Sequence, residues 1–280
     1  MYFFTPDTFS ILHAFGTFVV QNIDGSFAIK YSVYMYTMVT KRMSTLARYK
    51  LGKVIVKTAN SVIQEALDYT NMNQDLVVKR LDMSQCNKSK LALYRREVLI
   101  MNSVDHPNLL NYIDGFIHRE ELYLVMPQYA ASLADVCSGH GIKDKVLIAN
   151  IFGRILQGLS YLHSQRIVHR DIKGGNVLLD PNVEPERQLV ITDFGVSKEC
   201  LDQDPTSFVG TPCWMSPELC ESGGVDSYDS KTDIWSIGIT FLEVYFGRAP
   251  YMEYPPMKVI MLIHKQPPPI PFRHELGGHM

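Results

Sequence analysis

The chain has 280 residues, 46% of them hydrophobic, which is enough apolar material for a sizeable core in one large domain or two lobes. Its formal net charge of -2 gives no bulk attraction to nucleic acid or to an acidic membrane surface. Cys86, Cys137, Cys200, Cys213 and Cys220 are scattered and form no C-x-x-C pair, so free thiols in a reducing, cytoplasmic compartment are expected rather than a disulfide framework or a zinc site.

The N-terminal stretch, residues 1–48, is the least patterned part. Met1–Val20 is rich in aromatic and aliphatic residues, but Pro6, Asp7 and His13 interrupt it, and no apolar run reaches the ~18–20 residues that span a bilayer. A basic leader region is also missing, so neither a membrane span nor a secretory signal is expected. Phe27–Thr40 is β-branched and aromatic and suits a strand or two. The stretch reads either as a docking arm or as an extension that packs poorly.

From Tyr49 the pattern becomes a small β-rich lobe. Tyr49–Val56, Ser61–Tyr69 and Leu76–Leu81 read as strands. Lys90–Asn102 reads as a helix with Tyr94, Glu97, Val98 and Met101 on one face. An acid within an apolar stripe needs a buried cation, and Lys79 is the natural one. His106-Pro107-Asn108 closes that helix, and Asn111–Met126 reads as a hairpin turning at His118–Glu121.

The remainder reads as mainly helical. Ile148, Ile151, Phe152, Ile155, Leu159 and Leu162 repeat at helical spacing and deliver the chain to His169. Val177–Leu179 and Leu189–Ile191 read as short strands around a polar turn, Asp180–Gln188. Ser230–Gly247 reads as a nearly all-apolar helix without a polar face, which belongs in the middle of a lobe.

The chemistry concentrates in His169-Arg170-Asp171-Ile172-Lys173-Gly174-Gly175-Asn176, followed by Asp193-Phe194-Gly195. A carboxylate, an ammonium and a carboxamide at fixed offsets, then a second carboxylate, are what metal-bound phosphates and an incoming hydroxyl require. With these residues the chain resembles the eukaryotic protein kinases. Phe208-Val209-Gly210-Thr211-Pro212-Cys213-Trp214-Met215-Ser216-Pro217-Glu218 and Asp233-Ile234-Trp235-Ser236-Ile237-Gly238 narrow the resemblance to the sterile-twenty class. Val77-Val78-Lys79-Arg80-Leu81-Asp82-Met83 and His106-Pro107-Asn108-Leu109-Leu110 fit its oxidative-stress-responsive, Fray-like branch best. The resemblance runs in order from about Tyr49 to Met261.

It implies an α+β, two-lobed kinase-like fold: a small antiparallel β lobe with one helix, residues 49–128, and a larger, mainly helical lobe, residues 129–280. It also implies ATP and Mg²⁺. Asp171 would be the base and Lys173 the γ-phosphoryl partner, with Asn176 and Asp193 on the metal. Lys79, paired with Glu97, would grip the α- and β-phosphates. Val56, Ile63, Val77, Met126 and Leu178 would surround the nucleotide. Supporting roles fall to His169, packed on Phe194, to Gly195, and to Asp233 on the catalytic-loop backbone. Thr211 would reach Asp171 and Lys173. Arg170 would bind a phosphorylated loop residue, for which Ser207 aligns best and Thr206 is the alternative. Lys173 and Gly210-Thr211-Pro212 imply a serine/threonine enzyme.

Three departures stand out. In the family's G-x-G-x-x-G-x-V loop the glycines are replaced by Val56, Thr58 and Ser61, followed by Ile63, so weaker nucleotide affinity or slower turnover is expected. Val77 replaces the usual alanine. Gln266-Pro267-Pro268-Pro269-Ile270-Pro271 forbids helix, so the expected large lobe lacks its last helices and with them the arginine that the family pairs with Glu218. An active kinase of stress or ion-homeostasis signalling is the first reading, with a protein substrate bearing Ser or Thr, an upstream kinase and a scaffold as partners. A pseudokinase or truncated paralogue acting as a binding module is the second.

Overall fold

The computed structural model describes residues 17–21, 27–32, 46–58, 61–84, 86, 88–194, 198–199, 211–221 and 229–269. The chain forms two compact units, one of Met1–Asn102 with Tyr112–Gln128, the other of Ser103–Asn111 with Tyr129–Met280.

In the first unit, β1 (Thr17–Gln21) and β2 (Phe27–Ser32) pair antiparallel as a separate ribbon. A five-stranded antiparallel sheet follows, built from β3 (Tyr49–Lys57), β4 (Ser61–Asp68), β5 (Asn71–Asp82), β6 (Asp114–His118) and β7 (Glu121–Pro127), in the order β3-β4-β5-β7-β6. β5 begins at Asn71, five positions ahead of the expected Leu76, although its first residues are polar. The cause is the preceding turn. Asp68 Oδ1 accepts from Thr70 N and Thr70 Oγ1, which reverses the chain and sets Asn71 opposite Asp68. Register, not hydrophobicity, extends this strand.

One helix, α1 (Lys88–Ser103), belongs mainly to this unit. Tyr94, Glu97, Val98 and Met101 are all buried, as their spacing requires. Tyr94 and Val98 share a core with Leu76, Val78, Leu122 and Leu124. Residues ahead of Tyr49 also pack on this unit: Leu46 lies on that core, and Arg48 grips Asp68 through Nε and Nη2 at 3.0 and 2.5 Å.

The second unit contains β8 (Ala131–Ser132), α2 (Leu133–Cys137), α3 (Lys145–Ser164), β9 (Ile167–Val168), β10 (Val177–Leu179), β11 (Leu189–Ile191), β12 (Lys198–Glu199), α4 (Pro217–Glu221), α5 (Lys231–Phe246) and α6 (Pro256–Lys265). Ser132 and Asp135 form a reciprocal capping box that starts α2, and Asp144 caps α3 through Val146 N and Leu147 N. The apolar stripe expected for α3, from Ile148 to Leu162, is its buried face. Sheet order β11-β10-β8 and the pairing of β12 with β9 frame the segment between β9 and β10.

The expectation for α5 needs correction. It is largely buried, yet its inward surface is not purely apolar: Asp233, Ser236, Thr240 and Glu243 are buried, while Ile234 is 54% exposed. Spacings of three, four and three residues place those four polar groups on one face. Cys86, Cys137, Cys213 and Cys220 carry no disulfide. No helix among the described residues is long and apolar enough to cross a membrane.

Candidate active site

In the first unit, β-sheet register decides which residues meet. Val56 lies opposite Ile63, and Ile63 lies opposite Lys79. Val77, two residues from Lys79, lies opposite Met126. Cross-strand partners point to the same side of a sheet, so Val56, Ile63, Val77, Lys79 and Met126 share one face. Lys79 Nζ meets Glu97 Oε1 at 2.5 Å, with side-chain exposures of 15% and 5%. A pair this shielded is costly to break, because the survivor is left as a buried charge.

The turn after β3 holds Thr58 and Ser61. Thr58 N donates to Ser61 O at 2.9 Å, and Ser61 N donates to Thr58 Oγ1 at 3.0 Å.

In the second unit, Asp171 is the hub. Its Oδ2 accepts from Lys173 Nζ at 2.6 Å and from Asn176 Nδ2 at 2.9 Å. Its Oδ1 accepts from Thr211 Oγ1 at 2.8 Å and Thr211 N at 3.2 Å. Lys173 Nζ also donates to Thr211 Oγ1 at 2.6 Å, which closes a triangle. Asn176 Nδ2 donates again to Asp171 O at 2.8 Å. The amide hydrogens of Asn176 are thereby turned to Asp171, and its carboxamide oxygen remains to serve as a ligand. Thr192 N donates to Asn176 O at 2.9 Å, which ties the approach to Asp193 to the same loop.

Arg170 and Asp193 adopt left-handed backbone, with φ of 73° and 69°. Arg119, Arg166 and Tyr251 share this conformation elsewhere in the chain, and a non-glycine residue in it needs surroundings that hold it there. Asp233, fully buried, supplies the enforcement at Arg170. Its Oδ1 accepts from Arg170 N at 2.8 Å, and its Oδ2 accepts from His169 N at 2.9 Å and meets His163 Nε2 at 2.7 Å. His169 Nδ1 accepts from Asp171 N at 3.3 Å and its Nε2 stands 3.1 Å from Thr192 O, so the ring hydrogen is assigned to Nε2. The His169 and Phe194 rings meet edge to face at 5.5 Å.

Leu178 sits in β10 between Val190 and Ser132. Glu218 lies half-buried in the first turn of α4. Thr206, Ser207 and Gly195 fall outside the described residues.

Two residues of this site were not singled out in the sequence. Glu243 Oε2 accepts from Gly174 N at 2.8 Å and from Trp214 Nε1 at 3.1 Å. Burial raises the Glu243 carboxyl above the usual carboxylate range, against the pull of those two donors. A Cβ on Gly174 would sit 2.9 Å from Glu243 Oε1, so this position has no room for a larger side chain. His163 was the other. The available signal for Glu243 was an acid inside an apolar run, and for His163 a histidine closing an apolar helix face.

A model described as the protein kinase domain matches residues 49–269. The chain belongs to the protein kinase domain family. It is 38% identical over 229 residues to Serine/threonine-protein kinase fray2 of Dictyostelium discoideum, covering 79% of this chain and 21% of that protein. It is 36% identical over 241 residues to Germinal center kinase 3 of Caenorhabditis elegans, covering 79% and 39%. To Serine/threonine-protein kinase PAK 1 of Mus musculus it is 32% identical over 219 residues, covering 77% and 38%. The chain thus spans between about a fifth and two fifths of these relatives' length. The fray2 match agrees with the Fray-like wording of the kinase motifs. The α+β architecture, an antiparallel sheet unit and a mainly helical unit, is that of the kinase domain.

Proposed function

We propose that this kinase domain transfers the γ-phosphoryl group of ATP to serine or threonine hydroxyls of protein substrates. The observation that carries the reading is the Asp171 carboxylate, held by Lys173, Asn176 and Thr211 within 3.2 Å. In this role Asp171 orients the incoming hydroxyl and takes up its proton. Lys173, already beside that carboxylate, offsets negative charge on the transferred group. Lys79, fixed by Glu97, holds the nucleotide's α- and β-phosphates.

The family implies Mg²⁺, and the residues present fit it. The free carboxamide oxygen of Asn176 and the exposed carboxylate of Asp193 are hard oxygen ligands. No group of three or more His, Cys, Asp or Glu able to hold a metal occurs among the described residues. When bound, Mg²⁺ would neutralise phosphate charge. A Fray-like role in stress or ion-homeostasis signalling, a cytoplasmic location, regulation through phosphorylated Ser207 or Thr206 facing Arg170, and an upstream kinase with a scaffold all rest on the resemblance and belong to this proposal.

The test is radiolabelled phosphate transfer to a generic basic protein, with Asp171→Asn and Asp193→Ala beside the parent chain. Asp171→Asn removes the general base, worth roughly 10²–10⁴ in rate, and Asp193→Ala removes a ligand of the implied Mg²⁺, so both variants are expected at background. Equal transfer by parent and variants would mark a contaminant. A folded parent sample that transfers nothing would favour the binding-module reading, which the bonded Thr58–Ser61 turn also supports.

A further inference from the structure

The turn between β3 and β4 stands where the kinase pattern places its second and third glycines, and its own polar groups close it. Thr58 N is turned to Ser61 O at 2.9 Å, and Ser61 N to Thr58 Oγ1 at 3.0 Å. The two hydroxyl oxygens are 3.0 Å apart, and Thr58 Oγ1 also lies 3.3 Å from Ser61 O. A glycine loop works because its amides lack internal acceptors and no Cβ shields them, so they can point at phosphate oxygens. Here the amides at both positions already have acceptors within the turn.

We propose that Thr58 is the residue that sets how this site recognises a nucleotide: its hydroxyl holds the Ser61 amide inside the turn and withdraws it from phosphate binding. Phosphate recognition by the first unit then falls to Lys79, and the base contributes a larger share of affinity than a glycine loop would leave it. The inference rests on the reading that this domain binds ATP, and it identifies Thr58 as a positioning residue rather than a catalytic one. It also gives the glycine substitutions a mechanism beyond bulk, because a β-branched residue without a hydroxyl would not engage Ser61 N.

Two measurements on the whole chain test it. Amide hydrogen exchange without nucleotide reads the clasp itself. The Ser61 amide is expected to exchange slowly in the parent and in Thr58→Ser, and to lose protection in Thr58→Ala. Calorimetric titration then reads the consequence. Thr58→Ala is expected to bind Mg-ATP about tenfold more tightly, the value of one hydrogen bond to a charged acceptor, with adenosine affinity unchanged. Thr58→Ser is expected to match the parent for both ligands. An equally fast Ser61 amide in parent and Thr58→Ala would overturn the proposal, as would unchanged Mg-ATP affinity once that amide is released. Failure of every form to bind adenosine and Mg-ATP would instead remove the nucleotide reading and, with it, this proposal. The exchange result tells the two failures apart.

Discussion

Asp171 shows how much of a site rests on single atoms. Each of its oxygens takes two donors, and the Thr211 hydroxyl gives one hydrogen to Asp171 while accepting from Lys173. Thr211→Val removes that hydroxyl without changing the volume much. Steady-state transfer is expected to fall by about tenfold or more in kcat, because the bond lost is charge-assisted, and Thr211→Ser is expected to restore most of it. A second residue-level test concerns Arg48 and Asp68. Arg48 holds the Asp68 carboxyl well below the usual carboxylate range. The folded state therefore binds that proton less readily than the unfolded chain. Asp68 adds stability above the ordinary carboxylate value of about 3.9, and this is lost as pH falls through the lower folded value. Melting temperatures from pH 7 to 3 should show Asp68→Asn less stable at neutral pH, with the gap beginning to narrow only below about pH 4.

Helix α5 carries the site at the scale of an element. Asp233 holds the amides of His169 and Arg170, Ser236 Oγ donates to Trp214 O at 2.9 Å, and Glu243 accepts from Gly174 N and Trp214 Nε1. Thr240 Oγ1 reaches Ile172 O only at 3.4 Å and bonds Ser236 O at 2.8 Å. Glu243→Ala would leave two buried donors without their acceptor, at about 1–3 kcal/mol each. Thr240→Val, losing one long bond and one within the helix, should cost roughly 1 kcal/mol. Urea unfolding would rank them, and a Thr240→Val loss equal to that of Glu243→Ala would contradict the hydrogen-bond pattern. The sequence made the helix legible, and the kinase resemblance gave Asp233 its place on the catalytic-loop backbone, but reading the helix as one without a polar face missed Ser236, Thr240 and Glu243 on its inner side. What draws Asp233 and Glu243 inside is their bonding to the backbone amides of His169, Arg170 and Gly174, far away in sequence. The helical stripes of α1 and α3, by contrast, were legible because packing alone decides them. Likewise the turn at Asp68 lengthened β5 through side-chain bonds that no strand propensity encodes, and the hydroxyl pair at Thr58 and Ser61 was visible only as missing glycines.

At the scale of the whole molecule the chain does not build its units one after the other. The first unit consists of Met1–Asn102 and Tyr112–Gln128, and Ser103–Asn111 between them belongs to the second. That short segment is committed there: Leu109 and Leu110 are buried, Leu110 N donates to Ile191 O, and Ile191 N donates to Asn108 O, both at 2.9 Å. Within the first sheet, β7 lies between β5 and β6, so an interior place is filled by the last strand made. On a ribosome this order has a cost. Leu122 and Leu124, which complete the first core, emerge after the chain has already produced a segment whose partners at Leu189–Ile191 are still some eighty residues from synthesis. A nascent chain halted just after β6 should therefore stay open to protease, and protection of residues 49–127 should arise only once β7 has cleared the exit tunnel. During that interval the edge of β5 that β7 later covers offers unpaired N–H and C=O groups as a template for unwanted strand pairing, the kind of exposure that chaperones shield.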